Sequence, residues 1–208
     1  MKSILVEISC NNCMYHTYRK SETLILPDFE PRMRKELLED TFFTYVCPRC
    51  GHTITYLHEL TYVDKAHHFI LLIKPKVDQK ERDHNLYLED TKSIRRYISD
   101  PTLVSEKLRI LEDEVDDRVI EILKLKLKVR YTKMNKEVKH IAYQDCANDL
   151  LWFSIAFIDS EEMIAVASDS YQTIRKSLDA NNHKKFIEID EDWIRNKRIS
   201  EFHNEDEN

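Results

Sequence analysis

Two Cys-x-x-Cys pairs constrain this chain more than any other feature: Cys10 with Cys13, then Cys47 with Cys50, separated by 33 residues. Each pair can chelate an ion from one tight turn, and two pairs supply the four thiolates that tetrahedral Zn²⁺ takes at about 2.3 Å. The interval exceeds the roughly 15–20 residues usual in a zinc ribbon. A strand and a short helix within residues 23–40 account for the excess. Gly51, the single glycine among 208 residues, follows the second pair directly. A knuckle turns its backbone N–H groups toward sulfur, often at φ > 0, and glycine takes that conformation without steric cost. Pro48 pre-sets φ between the two ligands of that pair.

Two other chemistries compete for these cysteines. "CPRC" also matches a thioredoxin-like redox pair, but that chemistry needs the first thiol at a helix N-terminus, and "GHTITY" after Cys50 is strand-forming. The second pair has no role in it. Catalytic zinc is disfavoured because four thiolates close the coordination shell and leave no position for water or substrate. The expected cofactor is therefore a structural Zn²⁺ on Cys10, Cys13, Cys47 and Cys50, with Pro48 and Gly51 supporting the second knuckle. His16 and His52 lie just beyond the pairs, but with four thiolates present they read as solvated or supporting side chains.

Composition bounds the rest. A 42% hydrophobic content can build a core, and a 34% charged fraction suits a solvated surface. The net charge is −6, which repels phosphate backbones and anionic lipid. From Met14 to His52 six basic residues (Arg19, Lys20, Arg32, Arg34, Lys35, Arg49) face six acidic ones (Glu22, Asp28, Glu30, Glu36, Glu39, Asp40), so the knuckle region carries no basic patch. No apolar run approaches the roughly 20 residues of a membrane span. Paired cysteines without a disulfide framework suit a reducing compartment, so the expectation is a cytoplasmic protein that binds neither nucleic acid nor membrane.

Local patterns place the elements. "SILVEIS" alternates as a strand leading to Cys10, "TLILP" reads as a short strand, and Pro31 opens a helix over "RMRKELLED". "FFTYV" and "HTITYL" form the arms of a hairpin tipped by Cys47 and Cys50, and "HFILLIKP" and "SIRRYIS" are strands. Asp100 reads as an N-cap followed by Pro101 at the first helical turn, and Asp116 and Asp117 begin a second helix with a capped start. After Asp116 the pattern conflicts: "LKLKLKVRY" alternates at period two, so residues 123–131 alone would be a strand, whereas the capped start and the Leu and Lys content favour helix. Three strands follow in "HIAYQD", "LLWFSIAFID" and "MIAVAS", then a helix in "DSYQTIRKSL", a strand in "KFIEID" and a closing helix in "EDWIRNKRI". The expected fold is α+β: a zinc-ribbon-like antiparallel β module at 1–76, a polar linker at 77–93, an α+β module at 94–200 with a helical pair and an antiparallel sheet, and an acidic tail at 201–208.

The stretches "YVCPRCGH", "LHELTYVDKAHHFILLIKP" and "LRILEDEVDDRVIEILKL" resemble the CpXC family, bacterial and archaeal proteins of uncharacterised function. "FIEIDEDWI" extends the resemblance more weakly. It implies that Cys10, Cys13, Cys47 and Cys50 are the metal-binding positions, and it brings no catalytic residues. The first pair departs from the pattern, with Asn11 in place of proline and Met14 in place of glycine, which predicts a looser first knuckle.

Outside the pairs the residues read as structural. His67 and His68, adjacent on a strand end, point to opposite sides and are expected in solvent. Cys146 has nothing basic nearby to activate it. The carboxylates Glu112, Asp113, Glu114, Asp116 and Asp117 suit a helix start, and Trp152, Trp193, Phe153, Phe157 and Tyr171 suit a core. No nucleophile is paired with a base, so a metal-stabilised module for protein interaction or assembly is the leading class, with protein as partner and self-association open. A zinc-ribbon nucleic-acid regulator and an enzyme with its activity in the second module remain the alternatives.

Overall fold

A computed structural model describes residues 3–78, 80, 92–179 and 185–196. The chain divides into two compact units, residues 1–108 with 181–187, and 109–180 with 188–208. The fold is α+β, as the hydropathy patterns predict. Among the described residues no helix is long and apolar enough to cross a membrane.

The first unit begins with strands β1 (Ser3–Ser9) and β2 (His16–Glu22), an antiparallel hairpin whose tip carries Cys10 and Cys13. Strand β3 (Leu24–Ile25) is brief, and helix α1 (Pro31–Leu38) starts on Pro31 because proline lacks only an N–H that the first turn cannot use. Strands β4 (Thr44–Val46) and β5 (Thr53–Thr55) pair antiparallel around Cys47 and Cys50. Beyond these hairpins lies a four-stranded sheet in the order β3, β6 (Leu60–Asp64), β7 (Phe69–Ile73), β8 (Ile94–Ile98). All five residues of β7 are buried, which is what an uninterrupted apolar run does in a central strand covered on both faces. Burying each such side chain contributes about 1.5–3 kcal/mol. The β6–β7 turn is held by Asp64, which accepts from the His67 backbone N–H at 3.0 Å and contacts His67 Nδ1 at 2.9 Å. His67 is thus a turn lock rather than a solvated side chain, while exposed His68 supplies the left-handed residue at φ 55°.

Two boundaries differ from the sequence expectation. Strand β8, expected to open the second module, pairs in parallel with β7 of the first. "KFIEID" forms no strand: Ile187 makes one parallel bridge to Arg96, and Phe186 packs with Val63, Ile70, Leu72 and Tyr97. Both pairings join residues far apart in the chain, where local pattern carries no information about the partner. The linker expected at 77–93 lies largely, and the tail at 201–208 wholly, outside the described residues.

A 3₁₀ turn at Pro101–Leu103 leads into α2 (Val104–Glu112), and the boundary between the units falls inside this helix. Both expected caps form: Asp100 accepts from Thr102 N–H, and Asp116 from Arg118 N–H. The second unit packs α3 (Asp117–Lys133) against the antiparallel sheet of β9 (His140–Ala147), β10 (Leu150–Ala156) and β11 (Glu161–Ala167). Helices α4 (Ser168–Ser177) and α5 (Glu191–Asn196) complete it. The period-two stretch is helical. Ile120, Leu123, Leu127 and Tyr131 enter the core at helical spacing, whereas Val129, apolar in the alternation, is 39% exposed. Phe153 is fully buried, and Phe157, Trp193 and Tyr171 pack against this core. At the helix start Asp116 accepts two bonds from the Arg118 guanidinium, at 2.9 and 2.6 Å, and lies 3.0 Å from Arg175 Nε. The carboxylate run therefore caps and anchors α3.

Candidate metal centre

Both cysteine pairs sit at hairpin tips, where a chain reversing between antiparallel strands already directs successive backbone N–H groups to one side. In the first knuckle Cys10 N–H donates to Tyr15 O at 2.9 Å and Met14 N–H to Cys10 O at 2.8 Å. In the second, Cys47 N–H donates to His52 O at 2.9 Å and Gly51 N–H to Cys47 O at 2.8 Å. The match extends to sulfur: Cys13 accepts from the Tyr15 backbone, and Cys50 from the His52 backbone. Gly51 has φ 71° and Met14, at the corresponding place, φ 57°. The looser first knuckle expected from Asn11 and Met14 is not found, because Met14 itself takes the left-handed conformation. Its side chain, 69% exposed, meets no crowding there.

Arg19 on β2 joins the hairpins, its Nη1 donating to Thr44 O on β4 at 2.6 Å while its guanidinium lies 5.6 Å from the Tyr56 ring centroid. Beneath them Phe42, Phe43, Tyr56 and His58 form an aromatic cluster with centroid separations of 5.0–6.3 Å. His58 is buried, its Nε2 lies 2.9 Å from Glu22 O, and its Nδ1 has no hydrogen-bond partner among the described residues. Burial, with help from the nearby Arg19 charge, holds its pKa below the ordinary 6.5.

The four Sγ atoms all lie within 4.8 Å of one another. Cys10 Sγ is 3.6 Å from Cys50 Sγ, and Cys13 Sγ is 3.6 Å from Cys47 Sγ, each contact spanning the two knuckles. A disulfide requires about 2.05 Å, so these are not oxidised pairs. Four thiolates at about 2.3 Å from a common ion stand about 3.8 Å apart in a regular tetrahedron, and the observed spacing fits that figure. The donor set can hold a metal ion. Its electrostatics favour one: the Asn12 side chain and the His52 N–H pull Cys50 down to about 6, whereas desolvation first, then the neighbouring thiols, push Cys13 up to about 12. A divalent ion at the centre of the cluster would offset the desolvation that holds the Cys13 thiol up. Cys10 and Cys47 are buried and Cys50 exposed, so the ion's position is shielded on one side only.

Among the described residues no other group of His, Cys, Asp and Glu gathers for a metal. His16 contacts Ser9 Oγ at 2.8 Å and closes the first hairpin, and His52 enters through its backbone. Cys146 is exposed on β9, its thiol pushed up by desolvation and then by Asp113, Asp145 and Asp149, the reverse of what a nucleophile needs. A cavity of about 230 Å³ lined by Leu37, Phe42, Phe43 and Val104 has Asp40 as its one titratable wall residue, and gathers no acid–base pair. Asn12, Arg19 and His58 escaped the sequence reading. The aromatic "FF" opposite "TYLH" across the second knuckle is the signal from which the cluster could have been found.

No curated protein and no solved structure matches the chain. The model of the CpXC family, described as CpXC protein, matches residues 8–124, more than half the chain and including both knuckles and the start of α3. With the two cysteine pairs at matching hairpin tips and that extent of agreement, the chain belongs to the CpXC family.

Proposed function

We propose that Cys10, Cys13, Cys47 and Cys50 hold one structural Zn²⁺, and that the protein is a cytoplasmic, metal-stabilised module for protein interaction or assembly, without catalysis. The observation that carries the reading is the pair of 3.6 Å sulfur contacts across two matched knuckles. All-thiolate tetrahedral sets select zinc or iron, and reduced thiols suit a reducing compartment. Four protein ligands leave no open coordination position, which argues for folding rather than chemistry. The ion ties the β1–β2 hairpin to the β4–β5 hairpin, two small elements that Arg19 also bridges. On the outer face of the first hairpin Leu5 and Tyr18 are 70% and 66% exposed, apolar surface suited to a protein partner on a metal-fixed platform.

Metal removal tests the proposal. Stripping the ion with a strong chelator should expose four titratable thiols and melt the two hairpins, while the second unit keeps its helices. Full retention of hairpin structure in metal-free protein contradicts it. Leu5→Ser with Tyr18→Ser should leave metal content unchanged and reduce binding to a purified protein partner; unaltered binding removes the hairpin from that role.

A further inference from the structure

The sheet of the second unit has two edges, and they differ. On β9 the pairing with β10 shifts between Trp152 and Phe153, so that Gln144 is an extra residue between Asp145 and Tyr143. Such a bulge twists an edge and blunts it against further pairing. Strand β11 is regular over seven residues, and Met163–Ala167 contains no charge, proline or glycine.

The direction of the β11 backbone follows from two bonds that bracket the hairpin. Phe157 N–H donates to Ser160 O at 2.8 Å and Ser168 N–H to Asp149 O at 3.0 Å, both in the register of the β10–β11 ladder. Antiparallel pairs alternate between bonded and non-bonded, so Glu162, Ile164 and Val166 direct their N–H and C=O groups to β10. Glu161, Met163, Ala165 and Ala167 direct theirs away from the sheet. Among the described residues the outward groups of Glu161, Met163 and Ala165 have no hydrogen-bond partner; the Ala167 carbonyl, at the N-cap of α4, accepts the first bond of that helix. Glu161, Met163 and Ala167 are exposed.

We propose that the free edge of β11 is a self-association site, where two copies of the chain pair their β11 strands antiparallel about a two-fold axis at Ile164. Two three-stranded sheets become one of six. This register sets Glu161 opposite Ala167 of the second copy and Met163 opposite Ala165, so Met163 and Ala165 exchange both of their backbone bonds and the Ala167 N–H donates to the Glu161 carbonyl. It is also the electrostatically complementary register. Glu161 and Glu162 come opposite Ala167 and Val166 rather than each other, which avoids facing like charges. Glu161 then lies beside the N-terminus of α4 of the second copy, where Ala167 provides no side-chain cap and the helix dipole is positive. Moving the axis to Met163 or Glu162 leaves outward groups unpaired and brings the carboxylates toward one another. The inference gives the assembly reading a partner, the chain itself, and stands on the second unit without reference to the metal.

Sedimentation velocity of the full chain over a concentration series reads the assembly, and residue-resolved amide exchange reads the edge. The expected result is a reversible dimer in which the Met163 and Ala165 amides are protected only at dimer-forming concentrations, while Ile164, already bonded to β10, is protected throughout. Ala165→Pro removes an outward N–H without removing a bond to β10, a placement that edge strands tolerate, and should sediment as a folded monomer. If that variant does not fold, Met163→Lys carries the same test by charging the edge. A wild type that stays monomeric at its highest soluble concentration overturns the proposal. So does a dimer whose Met163 and Ala165 amides exchange as fast as in the monomer, or a folded edge variant that dimerises like the wild type. Metal content, measured on the same samples, reports separately on the cysteine cluster.

Discussion

Exchanging glycine and alanine at positions 14 and 51 tests whether the left-handed residue after each cysteine pair governs knuckle stability. A Cβ built on Gly51 meets no atom within 4 Å, so Gly51→Ala adds backbone strain at φ 71° and no clash. The left-handed conformation costs a non-glycine residue roughly 1–2 kcal/mol. Alanine returns about 0.4–1 kcal/mol by restricting the unfolded chain. The net loss is about 0.5–1 kcal/mol. Because knuckle folding and metal binding are one equilibrium, it should appear as zinc affinity weakened about two- to fivefold. At position 14 the comparison of Met14→Ala with Met14→Gly removes the methionine side chain from both variants, and glycine should be the tighter by the same factor at φ 57°. Competition titration against a chromophoric chelator resolves changes of this size. Equal affinities for glycine and alanine at both positions would refute the reasoning, since strain would then have no part in site formation.

Three further perturbations address the surrounding structure. His58 is held neutral by burial, so protons bind the unfolded chain more readily than the folded one; its stabilising contribution is present above pH 6.5 and is lost as pH falls through its depressed folded pKa. His58→Phe should flatten that segment of a stability–pH curve, and an unchanged slope would exclude His58 as its source. Arg118→Met should destabilise the second unit by about 3 kcal/mol in urea, because it strips a buried carboxylate, Asp116, of its bidentate partner and leaves the half-exposed Arg175; a loss below about 1 kcal/mol would show that Arg175 suffices. Nucleic acid should bind weakly near physiological salt, given the net charge of −6, and salt-sensitive sub-micromolar binding in a gel-shift assay would contradict this.

The cysteine spacing and the lone glycine made the candidate site legible in the sequence, because chelation demands a local pattern that local sequence can hold. The caps at Asp100 and Asp116 were legible for the same reason: side chain and recipient N–H are two residues apart. The capped start also resolved the period-two stretch of α3 correctly, where alternation alone pointed to a strand. Legibility failed wherever two distant segments chose each other. Nothing in "SIRRYIS" announces a parallel partner at Phe69–Ile73, and nothing in "KFIEID" announces a bridge to Arg96. Met14 shows a different limit. Its residue type argues against φ > 0, and the hairpin geometry with its paired bonds to Cys10 and Tyr15 outweighs a preference of roughly 1–2 kcal/mol. Asn12 stayed hidden because its role toward Cys50 arises only once the two knuckles meet.

The central claim, a structural zinc held by four thiolates, is tested most directly by elemental analysis of protein purified without added metal, alongside the Cys47→Ser variant. Cys47 is 1% exposed and contacts Cys13 across the knuckles, so replacing its sulfur removes a ligand from the buried side of the cluster. The account predicts one zinc per chain in the wild type, with no iron in stoichiometric amount, and a variant that loses both the metal and the structure of the two hairpins. A natively folded wild type with metal content near zero would contradict it.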